Sequence, residues 1–176
     1  MSPRFRTIYL RPWRIDLTVR DGVSVPVAAV RLARAAASAL DAAGAPSPSS
    51  LGIVLSDDAE LTELNETHMG ASGPTDVLSF PLLPPEAFPA GRAGVRLPPG
   101  PPGRRPHLGD IVVSVERAAE QAASGRGGQT GDVAWSSADE LLLLVTHGAL
   151  HICGWDHAEP AEEAAMRALE RRPLGG

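Results

Sequence analysis

The sequence predicts an α+β or α/β domain built on a small mixed sheet with helices packed on it. Three observations predict it. Residues 13–20 alternate between apolar and polar with a period of two. Short apolar stretches at 51–55, 75–80 and 108–113 have strand length. Between and after them run segments with helical spacing and recognisable caps.

The elements follow in order. In Trp13 to Arg20, Ile15, Leu17 and Val19 point one way and Arg14, Asp16 and Thr18 the other, the pattern of a half-buried strand. Pro26 to Asp41 is alanine-rich, with Val27, Val30, Leu32, Ala35 and Leu40 at three- and four-residue spacing. It reads as a helix begun by proline and ended near Gly44. A Pro/Ser turn precedes the apolar strand Leu51 to Leu55. Ser56 is placed to cap a helix running to about Thr67 with Leu61 and Leu64 on its apolar face. TDVLSF, residues 75–80, is a strand stopped by Pro81.

Residues 81–107 are crowded with proline and glycine and read as one long loop within a single domain spanning 1–176. Leu108 to Val113 is a strand and Ser114 to about Ser124 a helix. A glycine-rich loop around 125–131 follows. Ser136 or Ser137 then caps a long helix, with Asp139 and Glu140 in its first turn where the helix dipole favours acids. This helix ends at Gly154. A last helix starts at Pro160.

Composition bounds the function. Over 176 residues, 43% are hydrophobic and 21% charged, as in globular proteins. The one cysteine, Cys153, excludes an intramolecular disulfide. No apolar run suits a signal peptide or a membrane span, so a cytoplasmic protein is expected. Net charge is −5, yet every basic residue is arginine. Seven of these lie within residues 1–34, and Arg92, Arg96, Arg104 and Arg105 fall in a stretch free of acids. Arginine forks suit phosphate, and a local patch steers an anion even on an acidic chain. Arginine-favouring codon usage with solvated surface charge accounts for any single one of them equally well.

The strongest chemical signal is HGALHICGWDH, residues 147–157. His147 and His151 are four apart on a helix and share a face. Gly154 breaks the helix, and His157 can swing back as a third ligand. Three imidazoles leave one position open, the catalytic rather than the structural pattern of zinc. Three of the five histidines fall in these eleven residues. Cys153 lies off the His147/His151 face and reads as a packed small hydrophobe. The spacing matches the zinc-protease pattern HExxHxxGxxH, but Gly148 replaces the glutamate that serves there as general base. Peptide hydrolysis by that route is not expected, and Gly148 is expected to leave open space beside the ion.

Together with LNETHMGASGPTDVLSFPL at 64–82 and HLGDIVVS at 107–114, the block THGALHICGWDHAEPAEEAAMRALE at 146–170 resembles the bacterial YbeY family of single-strand-specific endoribonucleases. The resemblance extends over most of residues 13–170. It implies an α+β domain with a small mixed sheet flanked by helices. It also implies a zinc site at the end of a long core helix, with His147, His151 and His157 as ligands of one Zn2+. The implied activity is cleavage of single-stranded RNA in ribosomal RNA maturation and ribosome quality control. The implied partners are ribosomal RNA precursors and the ribosome, with neither DNA nor a membrane. One departure stands out. The family's second block reads Asn, two residues, an aromatic, then arginine; here His68 and Met69 follow Asn65 at those positions, and Ala71 and Ser72 replace nearby basic residues. Either an arginine from 92–105 serves instead, or the chain is an RNA-binding assembly factor with weak catalysis.

Asp156, Asp110 and Asp76 are the candidate acid/base or orienting carboxylates. Asp156 adjoins His157, Asp110 sits in an apolar strand where a carboxylate needs a reason, and Asp76 starts a strand. Asp156 equally suits a turn or helix-end cap, and Asp76 a strand cap. Ser79 is a further, weaker candidate. Zinc hydroxide and an RNA 2′-OH both remain open as the nucleophile. Trp13, Phe80, Phe88 and Trp135 are candidates for stacking on bases, and Trp155 lies in the metal loop.

Overall fold

The computed structural model describes residues 2–84, 87–88, 104–125, 135–155, 164 and 167–168. Most of the 81–107 loop, the loop after Gly125, Asp156, His157 and nearly all of the helix expected from Pro160 lie outside the described residues. No described helix is long and apolar enough to cross a membrane.

Five strands form one mixed sheet. They are β1 (Arg4–Leu10), β2 (Trp13–Val19), β3 (Ser49–Ser56), β4 (Val77–Pro81) and β5 (His107–Ser114), in the order β1-β2-β3-β5-β4. The central pairs β2–β3 and β3–β5 are parallel; the outer pairs β1–β2 and β4–β5 are antiparallel. Parallel neighbours need a crossover, and α1 (Ala29–Ala42) supplies the one between β2 and β3. The other helices are α2 (Asp58–Leu64), continued by a π-helical turn at Asn65–Met69, α3 (Val115–Ser124) and α4 (Ser137–Ile152).

The core lies between the sheet and the helix pair α1 and α4. Trp13, Ile15, Leu17 and Val19 of β2 project into it, as the alternation predicted. The buried stripe of α1 is mostly alanine, with Leu32 and Leu40, and small side chains let α1 sit close to α4. Nearly all of α4 is buried, and its start is fixed by a capping box in which Ser136 and Asp139 bond each other's backbone N–H, an arrangement of about 1 kcal/mol. Glu140 is fully buried and accepts a hydrogen bond from Trp135 Nε1. On the opposite face α2 makes a smaller cluster, with Leu61 against Leu78 and Val112.

Several boundaries differ from the sequence expectation. β1 was not expected at all; its arginine-rich sequence hides the alternation of an exposed edge strand. Pro26 does not begin α1. Val23, Val25 and Val27 pack on the core at every second residue, a strand-like spacing, and the helix starts only at Ala29, leaving Val30 39% exposed. Ser56 belongs to β3, and the cap of α2 is Asp57, whose carboxylate accepts from the Glu60 N–H at 2.9 Å. β4 starts at Val77 and includes Pro81, which is tolerated because β4 is an edge strand. His107 already belongs to β5.

Candidate metal and substrate site

Two consecutive turns of α4 bring His147 and His151 together. Their Nε2 atoms are 2.9 Å apart, with ring centroids at 4.4 Å and planes at 73°. Both rings are partly exposed although the helix around them is buried. Imidazole nitrogens on one tetrahedral ion with bonds of about 2.0–2.1 Å sit roughly 3.3 Å apart, so this pair fits a shared ion closely. Among the described residues no group of three metal-ligating side chains is assembled, and His157 lies outside them. Cys153 is not an alternative donor. It is 1% exposed and packed in the main core rather than lining the cleft, and burial pushes its thiol up to about 12.

The histidine pair opens onto a cleft of about 360 Å3 lined by Asp76, Val77, Ser79 and Pro81 of the β4 segment. Beyond β5, β4 has no further strand neighbour among the described residues, so its outer edge presents main-chain groups that no sheet partner uses. A larger hollow of about 610 Å3, between β1, β2 and the approach to α1, is lined by Arg4, Arg6, Ser24 and apolar side chains, with no histidine or carboxylate. Of the two hollows, the smaller one is where the histidine pair and Asp76 lie.

Gly148 sets how closely α4 approaches the sheet. A Cβ there would lie 2.6 Å from Ile111 Cγ2 and 3.2 Å from Val77 Cγ2. The open space expected beside this glycine is absent: Gly148 faces the sheet, while His147 and His151 face the cleft. Ser79 completes the junction, its hydroxyl donating to the Gly148 carbonyl at 3.0 Å. Asp76 is at the cleft, but both its oxygens are engaged. Oδ1 accepts from the Val77 N–H at 2.8 Å and Oδ2 from Gln121 Nε2 at 3.0 Å, which ties the start of β4 to α3.

Asp110 is elsewhere. Gly109, at φ 151°, interrupts the regular pairing of β5 with β3, so that Ser50 pairs with His107 but Gly52 with Asp110. The irregularity puts His107 and Asp110 on the same face, the one turned away from α4. There Asp110 orients a histidine, but it is His107, bonded through Nε2 at 3.0 Å, while Ser50 Oγ lies 2.8 Å from His107 Nδ1. Gly52 makes room for this carboxylate, since a Cβ at 52 would fall 1.9 Å from Asp110 Oδ1.

Met69 is 50% exposed at the end of the π-helical turn, and His68 beside it meets Phe80 edge-on at 5.4 Å. Arg105 does not take its place at the cleft. Its Nη1 donates to the Pro12 carbonyl at 2.6 Å, at the β1–β2 side of the sheet. Arg92 and Arg96 lie outside the described residues. Most of the aromatic candidates are structural: Trp13 and Phe88 are buried, Trp135 serves Glu140, Phe80 packs on the α2 cluster and Trp155 on the main core. The exposed rings are instead Phe5 and Tyr9, on a strand the sequence pattern did not reveal.

A sequence model of the family described as Endoribonuclease YbeY matches residues 21–175. The chain is 38% identical over 165 residues to an Endoribonuclease YbeY from Thermobifida fusca, covering 92% of this chain and 94% of that protein. It is 40% identical over 164 residues to one from Salinispora tropica, covering 91% and 93%. Its fold is similar to the solution structure of TM1509 from Thermotoga maritima, with a TM-score of 0.51, 22% identity, and coverage of 93% and 89%.

Proposed function

Because the chain belongs to the YbeY endoribonuclease family, we propose that it is a zinc-dependent endoribonuclease specific for single strands, acting in the cytoplasm in ribosomal RNA maturation and ribosome quality control. The observation that carries the metal part of this reading is the 2.9 Å approach of His147 and His151 Nε2 at the mouth of the β4 cleft. His157 is the third ligand in this proposal. When bound, the ion supplies Lewis-acid polarisation of a phosphoryl oxygen and acidifies water.

The chain's own groups do the positioning. The Gly148–Ile111 contact and the Ser79–Gly148 hydrogen bond hold α4 against β4, so the two imidazoles keep a fixed distance from the strand edge. That edge offers main-chain donors to phosphate oxygens. Asp76 acts as a positioning residue for β4, since both its oxygens are committed. Asp156, next to His157 in sequence, is the carboxylate proposed to orient a ligand or a water at the site. Asp110 has no part at this cleft, because its partner is His107.

Met69 favours one second reading. With no arginine at that position, the chain acts as an RNA-binding assembly factor with weak or absent turnover. The test separates the two. Zinc is quantified on the purified chain, and single-stranded and duplex RNA are incubated with it beside the His147→Ala, His151→Ala double variant. One zinc per chain, cutting of single-stranded RNA, and loss of both in the variant support the nuclease. Zinc binding with no cutting above the variant's background supports the assembly factor.

A further inference from the structure

Among the described residues, the sheet face turned away from α1 and α4 is covered only on its β5–β4 side, by α2 and the π-helical turn. Over β1 and β2 it is open. The register of these strands sets Phe5 beside Thr18, Thr7 beside Asp16 and Tyr9 beside Arg14, all on this face. Phe5 and Tyr9 are each 63% exposed, which is costly for rings of this size in water. They are four residues apart on one strand, about 14 Å. Thr7, Thr18, Arg14 and Asp16 surround them, so they are separate ring surfaces rather than one apolar patch.

The ends of the strands beside Tyr9 are basic. The Arg105 guanidinium sits 6.0 Å from the centre of the Tyr9 ring, anchored by its bond to Pro12. Arg14 lies in the next strand, and Arg11 and Arg104 are exposed at the same end of the sheet. Two carboxylates share the face, and both are engaged: Asp16 with Arg14 at 3.1 Å and with Thr7, and Asp110 with His107. With Arg14 paired to Asp16, Arg11, Arg104 and Arg105 are left as the surplus of positive charge at this end, on a chain whose net charge is −5.

We propose that this face is a platform for single-stranded RNA, with bases stacked on Phe5 and Tyr9 and phosphates held along the Arg11, Arg14, Arg104 and Arg105 end. The class of ligand rests in part on the family's substrate; the platform itself rests on the rings and the arginines. Exposed aromatics on an open sheet with flanking cations are how single strands are held without sequence preference, because every base has a π-face and every linkage a charge. From β1 to β4 the sheet is about 19 Å wide, four spacings of about 4.8 Å. The histidine cleft lies on the α4 side of β4, so a strand leaving the platform past Arg14 and His107 reaches it by turning round the β4 edge.

The test measures binding by anisotropy to an unstructured RNA long enough to span face and cleft, in the His147→Ala, His151→Ala background so that nothing is cut. Phe5→Ala and Tyr9→Ala are each expected to weaken the affinity roughly tenfold. Phe5→Leu with Tyr9→Leu, which keeps apolar bulk on the strand and removes the π-faces, is expected to lose affinity in the same way and serves if the alanine variants do not fold. In the otherwise native chain, cutting of an oligonucleotide short enough to occupy only the cleft is expected to be unchanged by these substitutions. Unchanged affinity for the long RNA in the folded leucine variant overturns the platform. So does a variant that keeps RNA affinity but no longer sediments with ribosomal subunits, since the face would then dock protein. A chain that cuts no RNA, yet loses RNA affinity with the rings, removes the nuclease reading and leaves the platform standing.

Discussion

Gly148 and Ile111 touch backbone to side chain, with room for no Cβ: one placed at 148 would lie 2.6 Å from Ile111 Cγ2. Ile111 is fully buried and branched at Cβ, so it has little freedom to yield. Gly148→Ala is therefore expected to destabilise the fold by about 1–3 kcal/mol, although alanine is the better helix former. Because the strain is relieved by lifting α4 from the sheet, the proposed zinc site is expected to lose affinity together with stability. Denaturant unfolding and zinc titration of the variant check both. Gly148→Glu, which would complete a zinc-protease motif, is expected to abolish folding rather than to create a peptidase.

Asp76 separates positioning from acid/base chemistry. Its Oδ1 serves the Val77 N–H and its Oδ2 the Gln121 amide. Asp76→Asn can keep the first bond and disturbs the second, so a stability loss of about 1 kcal/mol is expected. RNA cleavage by this variant should keep the shape of its pH profile. A profile that loses one limb would make Asp76 a proton carrier.

The Arg20–Glu60 pair predicts how stability depends on pH. Arg20 bonds both carboxylate oxygens of Glu60, at 2.6 and 2.9 Å, and this lowers the Glu60 pKa, with the Ser56 hydroxyl acting in the same direction. A depressed carboxylate contributes stability that is present above its unfolded pKa and lost as pH falls through the folded one. Both side chains are part-exposed, so the contribution is about 0.5–1 kcal/mol at neutral pH. Glu60→Gln is expected to show that deficit at pH 7 and none once the native carboxylate is protonated. Parallel unfolding curves of the two proteins below pH 4 and at pH 7 measure the difference.

How much of the fold and site was legible in the sequence depends on whether the signal was local. The histidine spacing, the Ser136 cap and the alternation of β2 are short-range patterns, and the structure contains the helix, the cap and the strand. The role of Gly148 was misread because its reason lies in Ile111, 37 positions away along the chain and on another element. Which histidine Asp110 meets was not legible for the same kind of reason: a one-residue irregularity at Gly109 decides which side of the sheet it faces, and there its partner is His107. β1 was missed because an exposed edge strand carries arginines where a buried one carries valines. With it went Phe5 and Tyr9, the rings left in solvent.

The motif reading puts Met69 where an arginine was expected, and its environment makes the substitution to arginine informative. It is half exposed at the end of a helical turn, and the Asn65 side chain anchors the following loop by donating to the Gly73 carbonyl at 3.0 Å. Met69→Arg therefore disturbs no packed core, and stability is expected to stay within about 0.5 kcal/mol of the parent. If the position faces the bound strand, the new guanidinium neutralises one more phosphate. Log affinity for single-stranded RNA should then fall more steeply with log salt, by about 0.7 for that phosphate. Cleavage should rise in kcat as well as in affinity if the arginine meets charge that develops only in the transition state. A steeper salt slope with unchanged kcat places position 69 on the binding path alone. An unchanged slope means that the strand does not pass the π-helical turn, which leaves Arg92 and Arg96 as the candidates for the cationic partner of the scissile phosphate.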